Sequence, residues 1–133
     1  MTIRAICVAI LAFALLGGAY PAQAQSQAKV ARSEKLPNVP GKSVTAVVVT
    51  FPPGAKSPPH HHAGSVLVYV LSGEVRSENS ATGPARVYKA GETFFEPAGS
   101  AHLVSENVST TEPATILAVF VADDGATLTT YDH

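Results

Sequence analysis

Residues 57–73, SPPHHHAGSVLVYVLSG, place three consecutive histidines directly before a hydrophobic run. The run at residues 65–72 is rich in β-branched and other apolar residues, which predicts a β-strand. Side chains of an extended strand alternate between two faces, so His60 and His62 point to one side and His61 points to the other. The stretch therefore predicts a strand that offers two imidazole nitrogens to a single point.

Short strand patterns continue on both sides of this stretch, separated by turns rich in Gly, Pro, Asn and Ser. No segment after residue 24 has the hydrophobic period of a helix. At least seven such strands predict an all-β sandwich or barrel. The predicted strands span residues 43–51, 65–72, 74–79, 85–90, 92–97, 101–107 and 114–122.

The first 24 residues have the pattern of a secretory signal peptide. Arg4 precedes an apolar core at residues 5–16, and Ala22-Gln23-Ala24 is a typical cleavage site. A membrane anchor is the less favoured alternative, because the apolar run is shorter than the roughly 20 residues of a spanning helix. We predict cleavage after Ala24, a periplasmic or secreted protein, and no membrane attachment afterwards.

The mature chain is expected to form one domain. Cleavage removes Cys7, the single cysteine, so stability must come from a core or a bound metal. Without Arg4, the remaining eight Lys and Arg against ten Asp and Glu leave a net charge of about −2, and with no basic patch we expect no nucleic acid partner. We predict a flexible arm at 25–40 with at most one short edge strand, a barrel at 41–122 and a loosely held polar tail at 123–133.

His102 is the third histidine inside the predicted barrel, at the start of strand 101–107. Three neutral imidazoles from two strands can bind a divalent transition metal and leave positions open to water or substrate. The alternative for the histidine run is a polar loop that meets metal only adventitiously. We do not expect His61 or the chain end His133 to be ligands.

The spacing of these residues resembles the two sequence motifs of the cupin family. The first motif, G-x5-H-x-H-x3-E-x6-G, is matched by Gly54, His60, His62 and Gly73, with Val66 in place of the glutamate. The second, G-x5-P-x-G-x2-H-x3-N, is matched by Gly91, Pro97, Gly99 and His102, with Asn107 one residue late and Glu106 in its place. The resemblance covers roughly residues 43–122.

The resemblance implies a single jelly-roll barrel with a metal bound inside near one mouth by His60, His62 and His102. Val66 cannot bind a metal, so the site resembles the three-histidine variant of some cupin dioxygenases, such as those that cleave β-diketones. A divalent ion with three neutral ligands keeps its full charge and favours anionic substrates or enolates.

Two carboxylates are alternatives for the missing ligand. Glu96 directly precedes Pro97, and Glu106 is four residues beyond His102, so strand parity predicts that it shares the face of that histidine. For both, a solvated carboxylate or a hydrogen-bond partner of a ligand histidine is the favoured interpretation.

Together with the signal-peptide pattern, the resemblance implies an exported metal-binding cupin that holds one divalent transition metal: Fe, Mn, Zn, Ni or Cu. As an enzyme it would be a dioxygenase or a Lewis-acid isomerase or lyase, acting on a small oxygen-bearing organic substrate. The alternatives are a non-catalytic periplasmic binder of metal or small ligands, and a barrel that has lost its metal. Cupins frequently dimerise, so a homodimer is compatible with the sequence. Tyr69, Phe94, Phe95 and Phe120 are expected in the core rather than around a substrate.

Overall fold

A computed structural model describes residues 25–133, and the predicted signal peptide lies outside these residues. The described part consists of β-strands and turns, and it contains no helix of the length and apolarity needed to cross a membrane. In chain order the strands are β1 (Gln27–Lys35), β2 (Lys42–Phe51), β3 (Lys56–Ser57), β4 (His60–His62), β5 (Ser65–Ser72), β6 (Glu74–Asn79), β7 (Gly83–Lys89), β8 (Thr93–Glu96), β9 (Ala101–Asn107), β10 (Ala114–Asp123) and β11 (Thr129–Tyr131).

The strands form two antiparallel sheets that face each other. The first sheet has the order β1-β2-β10-β5-β8, and the second has the order β11-β4-β9-β6-β7, with β3 paired to β9. The seven strands predicted from hydrophobic patterning are present as β2 and β5 to β10. The predicted all-β jelly-roll architecture is therefore confirmed.

The core lies between the sheets and is built by period-two alternation. On β5 the side chains of Val66, Val68 and Val70 are at most 1% exposed. On β10 alternate residues such as Ile116 and Phe120 are also buried, and they pack against the same cluster. Every second side chain of β10 and of most of β5 therefore points inward, where the two sheets enclose a cavity.

The same alternation sends other apolar side chains outward. Tyr69 and Phe95 are 43% and 48% exposed, so the expectation that they lie in the core is wrong. Tyr69 lies between two inward-facing valines, and its side chain is therefore directed to the outer face. Phe120 is buried as expected, and Phe94 is half-buried against the core.

Gly64 separates the histidines from the apolar strand that follows them. β4 belongs to the second sheet and β5 to the first, although only two residues lie between them. A Cβ atom at Gly64 would overlap the carbonyl oxygen of Val121 on β10, so only glycine allows this close approach. The tight passage fixes His60 and His62 on the sheet opposite β5.

The segments on either side of the predicted barrel are also strands. The arm contains the nine-residue β1, longer than the short edge strand expected, and it pairs with β2 of the same chain. In the tail, which was expected to be loosely held, β11 pairs with β4 and places Thr129 opposite His62. Ladder hydrogen bonds use main-chain groups, so a polar sequence does not prevent this pairing.

Candidate metal centre

The three histidines singled out by the sequence come together at the cavity. His60 and His62 lie on the inner face of β4, and His102 on β9 pairs directly with His60. Their side chains are buried, at 6%, 7% and 4% exposure. One nitrogen of each ring lies within 4.8 Å of the others, so the cluster can hold a metal ion.

Backbone hydrogen bonds fix the orientation of two of the rings. The Nδ1 of His60 donates to the carbonyl oxygen of Pro58 over 2.8 Å, and the Nδ1 of His62 donates to that of Leu128 over 3.0 Å. A carbonyl oxygen only accepts, so the proton sits on Nδ1 and the Nε2 lone pair stays free. Metal-binding histidines are typically oriented in this way.

The ring of His102 is oriented differently. Its Nε2 lies 2.8 Å from Oγ of Ser77, whereas its Nδ1 is buried without a hydrogen bond. Oε2 of Glu96 is 3.0 Å from this Nδ1 but out of line with the ring N–H direction, so the short contact is not a good hydrogen bond. A buried nitrogen without a partner beside a carboxylate fits a bound cation. The donor set therefore suits a divalent metal.

Glu96 lies inside the site. It ends β8, is 2% exposed and pairs directly with Val66, the residue at the glutamate position of the first motif. Its Oε2 is 3.7 Å from Nε2 of His62. The Nδ2 of Asn79 donates to the same oxygen over 3.4 Å.

Glu106 lies outside the site, and the strand-parity prediction for it is wrong. The register between β9 and β6 shifts by one residue next to His102, which is a β-bulge on β9. Beyond the bulge the two faces of β9 are exchanged, and Ser105 lines the cavity instead. Glu106 pairs with Lys56 at 3.0 Å and Arg76 at 3.4 Å.

Burial controls the charge of the site. Burial lowers the pKa of His62 to about 4, although the hydrogen bond to Leu128 acts to raise it. Burial also lowers the pKa of His102 to about 3, and repulsion from His60 and His62 adds to this effect. Burial raises the pKa of Glu96 to about 7, against the hydrogen bond from Asn79. At neutral pH these two imidazoles can therefore bind a metal without first losing a proton.

A cavity of about 160 Å³ adjoins the three histidines. Its walls are mostly apolar side chains of the inner faces of β2, β5 and β10: Val47, Val49, Phe51, Val66, Val68, Ile116, Ala118 and Phe120. Residues near both ends of the described chain complete it: Ser26, Ala28, Leu128, Thr129 and Tyr131.

The remaining histidines lie elsewhere. The Nδ1 of His61 is 2.8 Å from the carboxylate of Asp132, on the face of β4 that points away from the cavity. His133 is exposed at the chain end. Sequence reasoning missed Ser77 and Asn79, because no motif marks them; the alternation of β6, which buries both, is the signal that identifies their shared face.

Comparisons with known proteins agree with this architecture. The sequence profile of the family described as Cupin domain matches residues 47–120, more than half of the chain. Germin-like protein subfamily 2 member 2 of Arabidopsis thaliana is 33% identical over 94 residues, which are 68% of this chain and 42% of that protein. The chain thus spans less than half the length of this relative.

Solved structures give the same result. An uncharacterised conserved protein with a double-stranded β-helix domain from Klebsiella pneumoniae has a TM-score of 0.64 and 23% identity, and the match covers 86% of this chain and 90% of that one. This likeness shows the fold alone. Bacillus subtilis oxalate decarboxylase, which has Mn(II) centres, has a TM-score of 0.55 and 29% identity, over 66% of this chain and 23% of that one.

Proposed function

Since the chain belongs to the cupin family, we propose that it binds one divalent transition metal ion through His60, His62 and His102 and presents the ion to a small ligand. The observation that carries this proposal is the approach of three buried ring nitrogens within 4.8 Å. Iron, zinc, nickel and copper accept imidazole ligands, and manganese, which favours carboxylates, stays a candidate because Glu96 adjoins the rings.

The ligand that suits this cavity is a small organic molecule with a carboxylate or enolate oxygen. A bound divalent ion acts as a Lewis acid on such an oxygen. The apolar side chains of Val66, Ile116 and Phe120 line the cavity and lower the local dielectric constant, which strengthens electrostatic interactions inside it. Oxalate, the substrate in the name of the structurally similar decarboxylase, is a small molecule of this kind.

A non-catalytic binding protein is the second candidate. Among the described residues that line the cavity, Glu96 is the one carboxylate, and no lysine or arginine is present, so few groups are available for proton transfer. Oxygen uptake and product formation, measured with the metal-loaded protein and a panel of small carboxylates and diketones, separate an enzyme from a binder.

We also propose that the chain is exported and loses residues 1–24. The signal-peptide pattern and the lack of cysteine in residues 25–133 support this. The mass of the mature protein from cells that express the full chain is expected to correspond to a start at Gln25. A mature protein that retains Cys7 would contradict the proposal.

His102→Ala tests the metal site. The variant removes one of three nitrogens, so it is expected to lose the stoichiometric metal that the wild-type protein keeps through dialysis. Elemental analysis of the dialysed proteins is the measurement. His61→Ala is the matched control, because that ring points away from the cavity and its loss should leave one equivalent bound. One full equivalent in the His102 variant would contradict the proposal.

A further inference from the structure

The carboxylate of Glu96 lies beside Val66, the position at which the first motif has its glutamate. Val66 on β5 pairs directly with Glu96 on β8, and paired residues of an antiparallel ladder point to the same face. Both side chains are buried, at 0% and 2% exposure, and both line the cavity with the three histidines. The side chain from β8 therefore lies in the region that a glutamate at position 66 would reach.

This carboxylate is buried without a permanent cation. Within residues 25–133 the basic side chains near it are His62 at 3.7 Å and His102 at 3.0 Å, whose imidazoles are neutral at pH 7, and no lysine or arginine reaches it. Burial of an uncompensated carboxylate is strongly unfavourable. Its Oε2 and the unpartnered Nδ1 of His102 lack a good hydrogen bond to each other, and a cation bound by both atoms would satisfy both.

From this geometry we propose that Glu96 is the fourth protein ligand of the metal ion, bound through Oε2. The inference rests on the metal site proposed above and adds one ligand to it. A divalent ion held by three imidazoles and this carboxylate keeps one net positive charge, which suits a singly charged small anion. Asn79, whose Nδ2 donates to the carboxylate over 3.4 Å, is a positioning residue.

Glu96→Gln tests the ligand, because it removes the charge and keeps the size. We expect its Kd for Zn²⁺ to rise by about tenfold or more, measured on metal-stripped protein by competition with a chromophoric chelator. Glu106→Gln removes the same charge from the outer face and is expected to leave the Kd unchanged. A Glu96 variant that binds Zn²⁺ as tightly as the wild-type protein would overturn the proposal.

The pairing of the two positions allows a rescue. Val66→Glu in the Glu96→Gln background supplies a carboxylate from the neighbouring strand β5 and is expected to recover the Zn²⁺ affinity. Val66→Gln in the same background adds similar bulk without charge and should not recover it. Circular dichroism establishes that each variant is folded, and a folded double variant that stays as weak as Glu96→Gln would count against the assignment.

The wild-type protein gives a direct test that does not depend on variants. In a crystal structure of the Zn²⁺-loaded protein we expect a Glu96 carboxylate oxygen about 2.0–2.2 Å from the metal. Zn²⁺ bound by the three histidines, with this carboxylate only hydrogen-bonded to His102, would overturn the present inference and leave the proposed function standing. A protein that binds no Zn²⁺ at the cavity would overturn both.

Discussion

At the scale of single residues, the buried amide of Asn107 joins two backbone segments. Its Nδ2 faces the carbonyl oxygens of Phe51, Pro52 and Glu112 at 3.2, 3.1 and 2.7 Å. Its Oδ1 accepts from the backbone N–H of Ser109 over 2.9 Å. The side chain therefore fixes the end of β2, where the chain turns toward the histidines, against the loop before β10.

Asn107→Asp is expected to destabilise the metal-free protein more than Asn107→Ala at pH 7. The alanine variant leaves carbonyl groups unpaired, at a cost of about 1–3 kcal/mol. The aspartate places a negative oxygen among three carbonyl oxygens, and its protonated form, which can donate, should restore part of the stability as the pH falls. Urea unfolding at pH 7 and at an acidic pH measures the stability of the two variants. Equal stability of the two variants at pH 7 would contradict it.

The buried titratable groups of the site set the pH dependence of the metal-free protein. Because the pKa values of His62 and His102 are lowered from 6.5 to about 4 and 3, the unfolded state binds up to two more protons as the pH falls below 6.5. Because the pKa of Glu96 is raised from 4.5 to about 7, the folded state binds one more proton between those values. The net excess favours unfolding, so stability falls from pH 6.5 to 4.5.

Glu96→Gln removes the opposing proton and should make this acid loss of stability steeper. The net uptake on unfolding rises toward two protons, because the histidines then act alone. Urea midpoints between pH 4.5 and 6.5, measured on metal-stripped protein, give the slope. Glu106→Gln is the control, since that side chain lies on the outer face beside Lys56. An unchanged slope for Glu96→Gln would contradict the proposed charge balance.

At the scale of elements, the terminal strand β11 is part of the site. The carbonyl of Leu128 accepts from Nδ1 of His62, and Oγ1 of Thr129 lies 3.1 Å from the same nitrogen. The ring of Tyr131 packs edge-on against that of His60, with centroids 5.7 Å apart. The tail therefore orients one predicted ligand and covers another.

Deletion of residues 127–133 should weaken metal binding although it removes no proposed ligand. Loss of the outer hydrogen bond to a ligand histidine typically costs about 10–100-fold in affinity. The Zn²⁺ Kd of the truncated protein measures this, with deletion of His133 alone as the control. If the shortened chain binds Zn²⁺ with the wild-type Kd, β11 has no role in positioning His62.

The sequence predicts those elements whose side chains carry a pattern. Apolar and β-branched runs between turn residues predict seven strands, and the spacing of two motifs predicts that His102 meets His60 and His62. The pairing of β1 with β2 and of β11 with β4 could not be predicted, because main-chain ladders leave no side-chain pattern in a polar segment. The bulge that turns Glu106 outward has no glycine or proline to mark it. The position of Glu96 inside the site depends on the pairing of β8 with β5, two segments distant in the chain, and a single sequence does not reveal this pairing.

At the scale of the whole molecule, the outer face of the first sheet carries several exposed apolar side chains. Leu67 pairs with Phe95 on one side and with Val119 on the other, so their side chains form a continuous patch on that face. Leu67 and Phe95 are 50% and 48% exposed, and Tyr69 beside them is 43% exposed. Contiguous apolar surface of this kind is typical of contacts between proteins.

We expect this face to join two copies of the chain about a twofold axis, since a twofold contact uses the same patch on both subunits. Leu67→Lys combined with Phe95→Lys should yield a monomer in sedimentation equilibrium. Metal binding should persist, because strand alternation directs both side chains away from the cavity. Leu103→Lys, on the second sheet and 43% exposed, is the control and should leave the dimer intact. A wild-type protein that is monomeric at every concentration tested would show that the patch does not mediate self-association.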